Sequence, residues 1–446
     1  MSLSLDELKR LYFDLITTIV PGPASLAYFI PLLILPLGLL IPQSVLGHTQ
    51  LCAIILPISI LATASAWYDL GGNDVISTDC LYLTFFLYLF KDPRRDFRRI
   101  IRPQECDELR LRRIHKNAAS AESRPNSLEA YPDTLSGRLT WAMMLPQSRP
   151  LHDWIIGNPG HDRRALQTFR HPSRFGFALD GCSRLVPVLC LLMPLSKQLA
   201  CSDPYFSDPQ RSLFSPIESD VVGEGKMAGL MRATLPPFIL RPLIMAMYAY
   251  SLLITIFLSP ILLAVFLSVV RIIPEKWSPH TWRPHFGPFS AITRHGVRGF
   301  WGRWWHQQMR HIVSEPGRWL SAKCGLVGNG WQKTVRYMLI CASAFFLSGI
   351  THSGLVPPNP RFAAVGANQL RLELAGFFWV QPVGIAFELL ALEPVLRMLP
   401  MRGLQTCLRV IWTACFLCYS CTYLVLPFGQ LGYWNIVPSD CPTPLL

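Results

Sequence analysis

Residues 252–270 read Leu252-Leu-Ile-Thr-Ile-Phe-Leu-Ser-Pro260-Ile-Leu-Leu-Ala-Val-Phe-Leu-Ser-Val-Val270. They close an apolar run that begins at Phe238. A membrane helix needs about 20 mostly apolar residues to cross roughly 30 Å of hydrocarbon, so this run sets the class of the protein. Working outward, further runs stand near 25–42, 50–68, 75–90, 178–200, 337–356, 372–396 and 405–428, eight spans in all. Composition agrees: of 446 residues, 51% are hydrophobic and 15% charged, where soluble chains carry about 25% charge. A disulfide scaffold is excluded by size and a disordered chain by hydrophobicity. The expected fold is all-α and polytopic, with about eight transmembrane helices around an intramembrane reaction chamber. The 238–270 run is read as one helix with an interfacial part, not as a hairpin broken at Ser259-Pro260. Acidic Asp6 and Glu7 near the start argue against a cleavable signal peptide.

Loop charge tests that count. Residues 91–175 carry a balance of +7, residues 202–226 one of −3, and residues 271–336 one of +9. The positive-inside rule places both basic loops in the cytoplasm, and Arg397, Arg402 and Arg409 gather at the next cytoplasmic turn. Reporters fused after Asp162 and after Arg318 should therefore read the same side, and one at Ser215 the opposite side. The net charge of +13 needs no nucleic acid to explain it.

Three segments follow: membrane helices over 1–90, a basic cytoplasmic insert over 91–175, and a membrane region over 176–446 whose motifs concentrate in 290–395. The insert opens with Lys91-Asp-Pro-Arg-Arg-Asp-Phe-Arg-Arg99, a juxtamembrane stretch suited to anionic headgroups. Residues 116–137 have the composition of a partly disordered segment. No nucleotide-binding, serine-hydrolase or zinc-protease motif occurs. Cys415, Cys418 and Cys421 form C-x-x-C-x-x-C, but inside an apolar run with no histidine nearby in sequence, so they read as small helix residues rather than metal ligands.

Ten of eleven histidines fall in predicted loops or at interfaces; only His352 sits within a strongly apolar run, Tyr337–Val356. An ionisable group inside a span is costly and marks either function or an interhelical hydrogen bond. Small neighbours Ser348, Gly349, Ser353 and Gly354 leave room beside it. Upstream stands Phe300-Trp-Gly-Arg-Trp-Trp-His-Gln-Gln-Met-Arg310. Helical spacing puts Trp301, Trp304, Trp305 and Met309 on one stripe and Gly302, His306 and Arg310 on another, the pattern of an interfacial helix.

These strings resemble the wax-synthase-like branch of the membrane-bound O-acyltransferase superfamily, which includes fungal secondary-metabolite acetyltransferases. The branch carries F-W-G-R-x-W-H-Q, F-x-S-G-x-x-H and F-F-x-x-Q-x-x-G-I-x-x-E. Here these are Phe300–Gln307, Phe346–His352 and Phe377–Glu388, with a weaker echo at Arg174–Asp180. Trp304 replaces a frequent second Arg, and Pro382 stands where Gly is commoner.

The resemblance implies acyl transfer from acyl-CoA, most simply acetyl-CoA as co-substrate with no bound cofactor or metal, to a hydroxyl of a lipophilic terpenoid or meroterpenoid. His352 is then the base that takes the hydroxyl proton, since a desolvated histidine stays neutral near pH 7. His306, Gln307 or Ser348 supply donors to the oxyanion. Trp301, Arg303, Trp305 and Arg310 are further binding candidates, with Arg298, Arg303 and Arg310 facing the coenzyme A phosphates unless they simply follow the positive-inside rule. Gln381 and Glu388 share a helix face that lines the chamber or bonds between helices. A wax-ester-type long-chain alcohol acyltransferase and a transporter of a hydrophobic metabolite are the alternatives; no repeated halves support the second. The expected membrane is the endoplasmic reticulum.

Overall fold

The computed structural model describes residues 26–69, 72–101, 127–146, 154–157, 173–206, 208, 211–217, 226–273, 278–279, 285–358, 360 and 365–431. All eight apolar segments are helical. Helices α1 (Leu26–Leu40), α2 (His48–Asp69) and α3 (Val75–Phe90) open the bundle. A small sheet of β1 (Phe97–Ile101), β2 (Ser127–Glu129) and β3 (Trp154–Ile156) follows, with helix α4 (Leu135–Met144) between β2 and β3. Then come α5 (Arg174–Cys201), α6 (Pro237–Val269), α7 (Ser290–Gly299), α8 (Arg310–Lys323), α9 (Trp331–Ser353), α10 (Ala367–Met398) and α11 (Arg402–Gln430).

The chain is a polytopic membrane protein, and the described residues account for six of the eight expected spans by length and composition. Six helices among the described residues (α2, α5, α6, α9, α10 and α11) are long and apolar enough to cross a bilayer. Helix α1 is described over 15 residues, Leu26–Leu40, all of them apolar in character. Helix α3 starts at Asp74, whose carboxylate accepts from the N–H groups of Ile76 and Ser77, and all of Ser77–Thr84 is buried. It packs as an interior element rather than facing lipid. Helix α6 runs unbroken for 33 residues through Pro260, as expected of one helix rather than a hairpin.

The described parts of the segment after residue 90 pack against the helices. Strand β1 lies between β2 and β3, antiparallel to both, with Arg99 opposite Glu129 and Trp154. Trp141 packs edge-on against Trp154 at 4.7 Å, and Phe97 meets Phe86 of α3. One core thus joins α1–α3, the sheet and α4 with Ile312 and Val313 of α8. The basic stretch is not free for headgroups either. Arg94 is buried and donates to the carbonyls of Ile41 and Leu46 and to Asp92. Arg99 pairs with Glu129 at 2.6 Å, and Lys91 with Glu315 at 2.6 Å. Of the bases in this stretch, Lys91, Arg94 and Arg99 are thus held by partners within the protein, while Arg95 stays exposed. Of the stretch expected to be partly disordered, residues 116–126 lie outside the described residues, and the remainder holds β2 and the start of α4.

Between α5 and α6 a buried ion pair fixes the connection. Arg241 of α6, fully buried, holds Asp203 through Nε and Nη2 at 2.7 and 2.9 Å. Its Nη1 donates to the carbonyls of Ser212 and Leu213, and its guanidinium lies 4.6 Å from the Tyr205 ring centre.

Candidate active site

Helix α9 supplies the rail of the site. Tyr337, Cys341, Ala344, Ser348 and His352 recur every three or four residues and face one cavity of about 310 Å³. From Tyr337 to His352 the rail is about 22 Å long at 1.5 Å per residue. Helix α9 begins at Trp331 and ends at Ser353, short of the Val356 end of the apolar run, so His352 stands in its last turn. Close packing of α8 against α9 is possible because Gly317 lies against the Ile340 backbone, where a Cβ would come within 2.7 Å of Ile340 Cα.

His352 has a defined hydrogen-bonding state. Its Nδ1 lies 2.8 Å from the carbonyl oxygen of Ser348. A carbonyl only accepts, so Nδ1 carries the hydrogen and Nε2 of the neutral ring is a bare lone pair; the tautomer is assigned from this bond. Phe378 of α10 stacks on the ring with centroids 4.2 Å apart, which fixes its plane.

The Phe300–Arg310 string is not the interfacial helix its spacing predicts. Helix α7 passes into a π-helical turn, Phe300–Trp304, and Trp305 is extended at φ −60°, ψ 156°. Two side chains stabilise the break. Gln307 donates its Nε2 to the carbonyls of Trp301 and Trp305, and Arg310 donates to the Gly302 carbonyl at 3.0 Å. The indoles therefore turn inward: Trp301 packs on Phe345, Phe377 and Phe378, while Trp304 stacks on Tyr250 of α6. Periodicity does not register this, because it records apolar spacing and not the side-chain bonds that satisfy the carbonyls of a broken turn.

His306 sits on the turn so formed and lines the same cavity as His352. Phe257, Phe286 and Trp305 surround its ring, and its Nδ1 has no partner among the described residues. Burial, with His352 and His285 nearby, holds its pKa down at about 3, so it is neutral at pH 7. We expect His306→Ala to lower turnover by on the order of 10²–10³, the cost of one oxyanion donor. Unchanged turnover in normally inserted protein would leave the residue a packing role.

The other expected site residues divide. Trp301, Trp305, Gln307, Arg310 and Ser348 line the cavity. Arg303 does not; it is exposed and meets His295 Nε2 at 2.6 Å. Gln381 and Glu388 are fully buried outside the cavity wall. Gln381 accepts from Trp301 Nε1 at 2.9 Å and donates to the Phe377 carbonyl, an interhelical clamp. Glu388 accepts the Val297 N–H at 2.6 Å. That bond needs the kink at Gly296, at φ 59°, ψ −140°, a conformation open essentially to glycine alone. A Cβ there would also collide with the Glu388 carboxylate. Gly296→Ala should cost at least the roughly 1–3 kcal/mol of backbone strain, seen as a lower thermal midpoint in detergent and lost activity; a normal midpoint would show the kink to be dispensable.

Sequence reasoning missed Arg318, Tyr337, Cys341, Thr351 and Asp79, which also face the cavity. The α9 members share the His352 stripe and were available from its 3.6-residue period. Asp79 was not, because only the tertiary fold brings α3 to α9. Arg298, Arg310 and Arg318 gather toward the Tyr337 end, and His352 marks the other.

Residues 282–357, which hold both histidines, match the Membrane bound O-acyl transferase family. The chain is 33% identical over 161 residues to acetyltransferase ple2 of Rhodocybe pseudopiperita, covering 34% of this chain and 38% of that protein. It is 36% identical over 75 residues to acetyltransferase nanB of Aspergillus nanangensis, covering 17% of each chain. Acetyltransferase aurG of Calcarisporium arbuscula is 32% identical over 116 residues, covering 24% of each. The chain thus matches well under half the length of these relatives. No solved structure matches it. The resemblance read from the three strings stands, and it is the His306–His352 segment that carries it.

Proposed function

We propose that this protein is an acyl-CoA-dependent O-acyltransferase, in its simplest form an acetyltransferase, acting on a hydroxyl of a lipophilic small molecule such as a terpenoid or meroterpenoid. One observation carries the reading: His352, its Nδ1 tied to the Ser348 carbonyl, shares a cavity with Arg298, Arg310 and Arg318, which cluster near Tyr337, about four helical turns before it. Coenzyme A enters at that basic end, where guanidinium groups meet phosphate well. Its pantetheine arm follows the α9 rail, and the acyl thioester reaches His352. The lipophilic acceptor approaches from the membrane, the endoplasmic reticulum in our reading.

His352 Nε2 takes the proton of the acceptor hydroxyl as its oxygen attacks the thioester carbonyl. The C–O bond forms and the negative charge moves to the carbonyl oxygen. His306 and the Ser348 hydroxyl are the donors for that oxygen, since both Gln307 amide hydrogens already serve the turn. Collapse breaks the C–S bond, and the departing thiolate takes the proton from the imidazolium. No proton is gained or lost overall, so one base that takes the proton and returns it suffices.

The test is direct. Microsomes holding the protein are incubated with labelled acetyl-CoA and a panel of hydroxylated terpenoids. Label in an esterified terpenoid, lost with His352→Ala, supports the reading; label in none of them, with protein inserted, rejects it.

A further inference from the structure

The catalytic reading uses the basic end of the cavity, His306, Ser348 and His352, and gives the acidic side chain in the lining no task. Asp79, on α3, faces the same cavity and is 8% exposed. Its level along α9 is fixed on both sides. Asn73 donates to the Ile350 carbonyl at 2.6 Å and to Ser353 Oγ at 3.1 Å, and Gly354 lies against the Asp74 backbone. Tyr82, further along α3, donates to the Leu347 carbonyl at 3.4 Å. Helix α3 therefore runs antiparallel beside the last turns of α9. Asp79, between Asn73 and Tyr82, stands level with the turn that presents Ser348, Thr351 and His352.

A carboxylate inside an apolar bundle is costly and is retained where it does something. It offers about four acceptor sites and no donor when ionised, so it has capacity beyond any bonds it makes within the protein. The reacting hydroxyl has a single proton, and that proton goes to His352 Nε2. A hydrogen bond to Asp79 must come from a different donor on the substrate. We propose that Asp79 binds a second hydroxyl of the acceptor, which makes the acceptors diols or polyols on a lipophilic skeleton rather than mono-alcohols. This rests on His352 being the base, and it goes beyond that reading by naming what the remainder of the acceptor must carry.

Purified protein in detergent is titrated with 5α-androstane-3β,17β-diol and with its two mono-alcohol analogues, 5α-androstan-3β-ol and 5α-androstan-17β-ol, as rigid polycyclic probes. Transfer of labelled acetyl to each probe is read in parallel. Wild-type protein should bind the diol roughly 10- to 100-fold more tightly than either mono-alcohol, the range for a hydrogen bond to a charged group. Asp79→Leu should erase that preference, and Asp79→Asn, which keeps the side chain's shape, should reduce it. Coenzyme A binding in each variant reports an intact fold, and a misfolded Leu variant leaves the Asn variant to decide. Equal wild-type affinity for diol and mono-alcohols, no binding of any probe, or a preference that survives in a folded Asp79→Leu protein would overturn the proposal. A diol preference without acetyl transfer to any acceptor would instead count against the enzymatic reading and leave Asp79's role standing.

Discussion

His352→Ala is expected to take acyl transfer to background while leaving the protein inserted and able to bind coenzyme A. The replacement puts a small apolar side chain into the last turn of an apolar helix. It removes one hydrogen bond, to the Ser348 carbonyl, which already accepts within the helix's own reach. The stacking partner Phe378 loses its face-on neighbour but keeps Trp301 and Phe377 around it. Structural cost is therefore small, whereas the chemical cost is the entire base. His306 cannot take over, since burial keeps its pKa near 3 and its ring is fixed among Phe257, Phe286 and Trp305. The check is labelled acetyl transfer by purified wild-type and variant protein at matched thermal stability. A variant retaining a substantial fraction of wild-type turnover on the true acceptor would make His352 a structural residue and end the mechanism.

Arg241→Ala is expected to have the largest effect on stability. It strands Asp203, 1% exposed, in the interior without its bidentate partner, and it orphans the Ser212 and Leu213 carbonyls. Breaking one side of a buried ion pair costs about 3–5 kcal/mol, because the remaining charge stays desolvated. A sharp loss of yield and of thermal midpoint in detergent should follow. The paired change Arg241→Met with Asp203→Leu should recover much of it, since no charge is then left buried, though the two carbonyls still lack a donor. A single variant as stable as the wild type would mean that water reaches Asp203.

Much of the architecture was legible in one dimension. Eight apolar runs became eight helices because a chain in hydrocarbon must satisfy its backbone internally, and length and composition alone carry that information. The same logic singled out His352, since one ionisable side chain in an apolar run is conspicuous against its neighbours. Ser348, four residues earlier, was on the page for the same reason, as helical spacing places i and i+4 together.

Other features needed the fold. The Trp301–Met309 stripe had the right period yet the wrong outcome, because Gln307 and Arg310 satisfy the carbonyls of a broken turn better than a continued helix would. Gln381 and Glu388 were correctly placed on one helix face, but only tertiary packing decides that this face meets Trp301 and Val297 rather than the cavity. The basic stretch after residue 90 had the composition of a headgroup anchor, yet Lys91 and Arg99 find carboxylates on distant elements, Glu315 and Glu129. Asp79 and His352 are 273 residues apart in the chain. Local sequence fixes which segments are helical and which side chains are chemically unusual, since those depend on the neighbours within a turn or two. Which of those side chains share a cavity depends on how α3, α8, α9 and α10 pack, and that is a property of contacts no local pattern records.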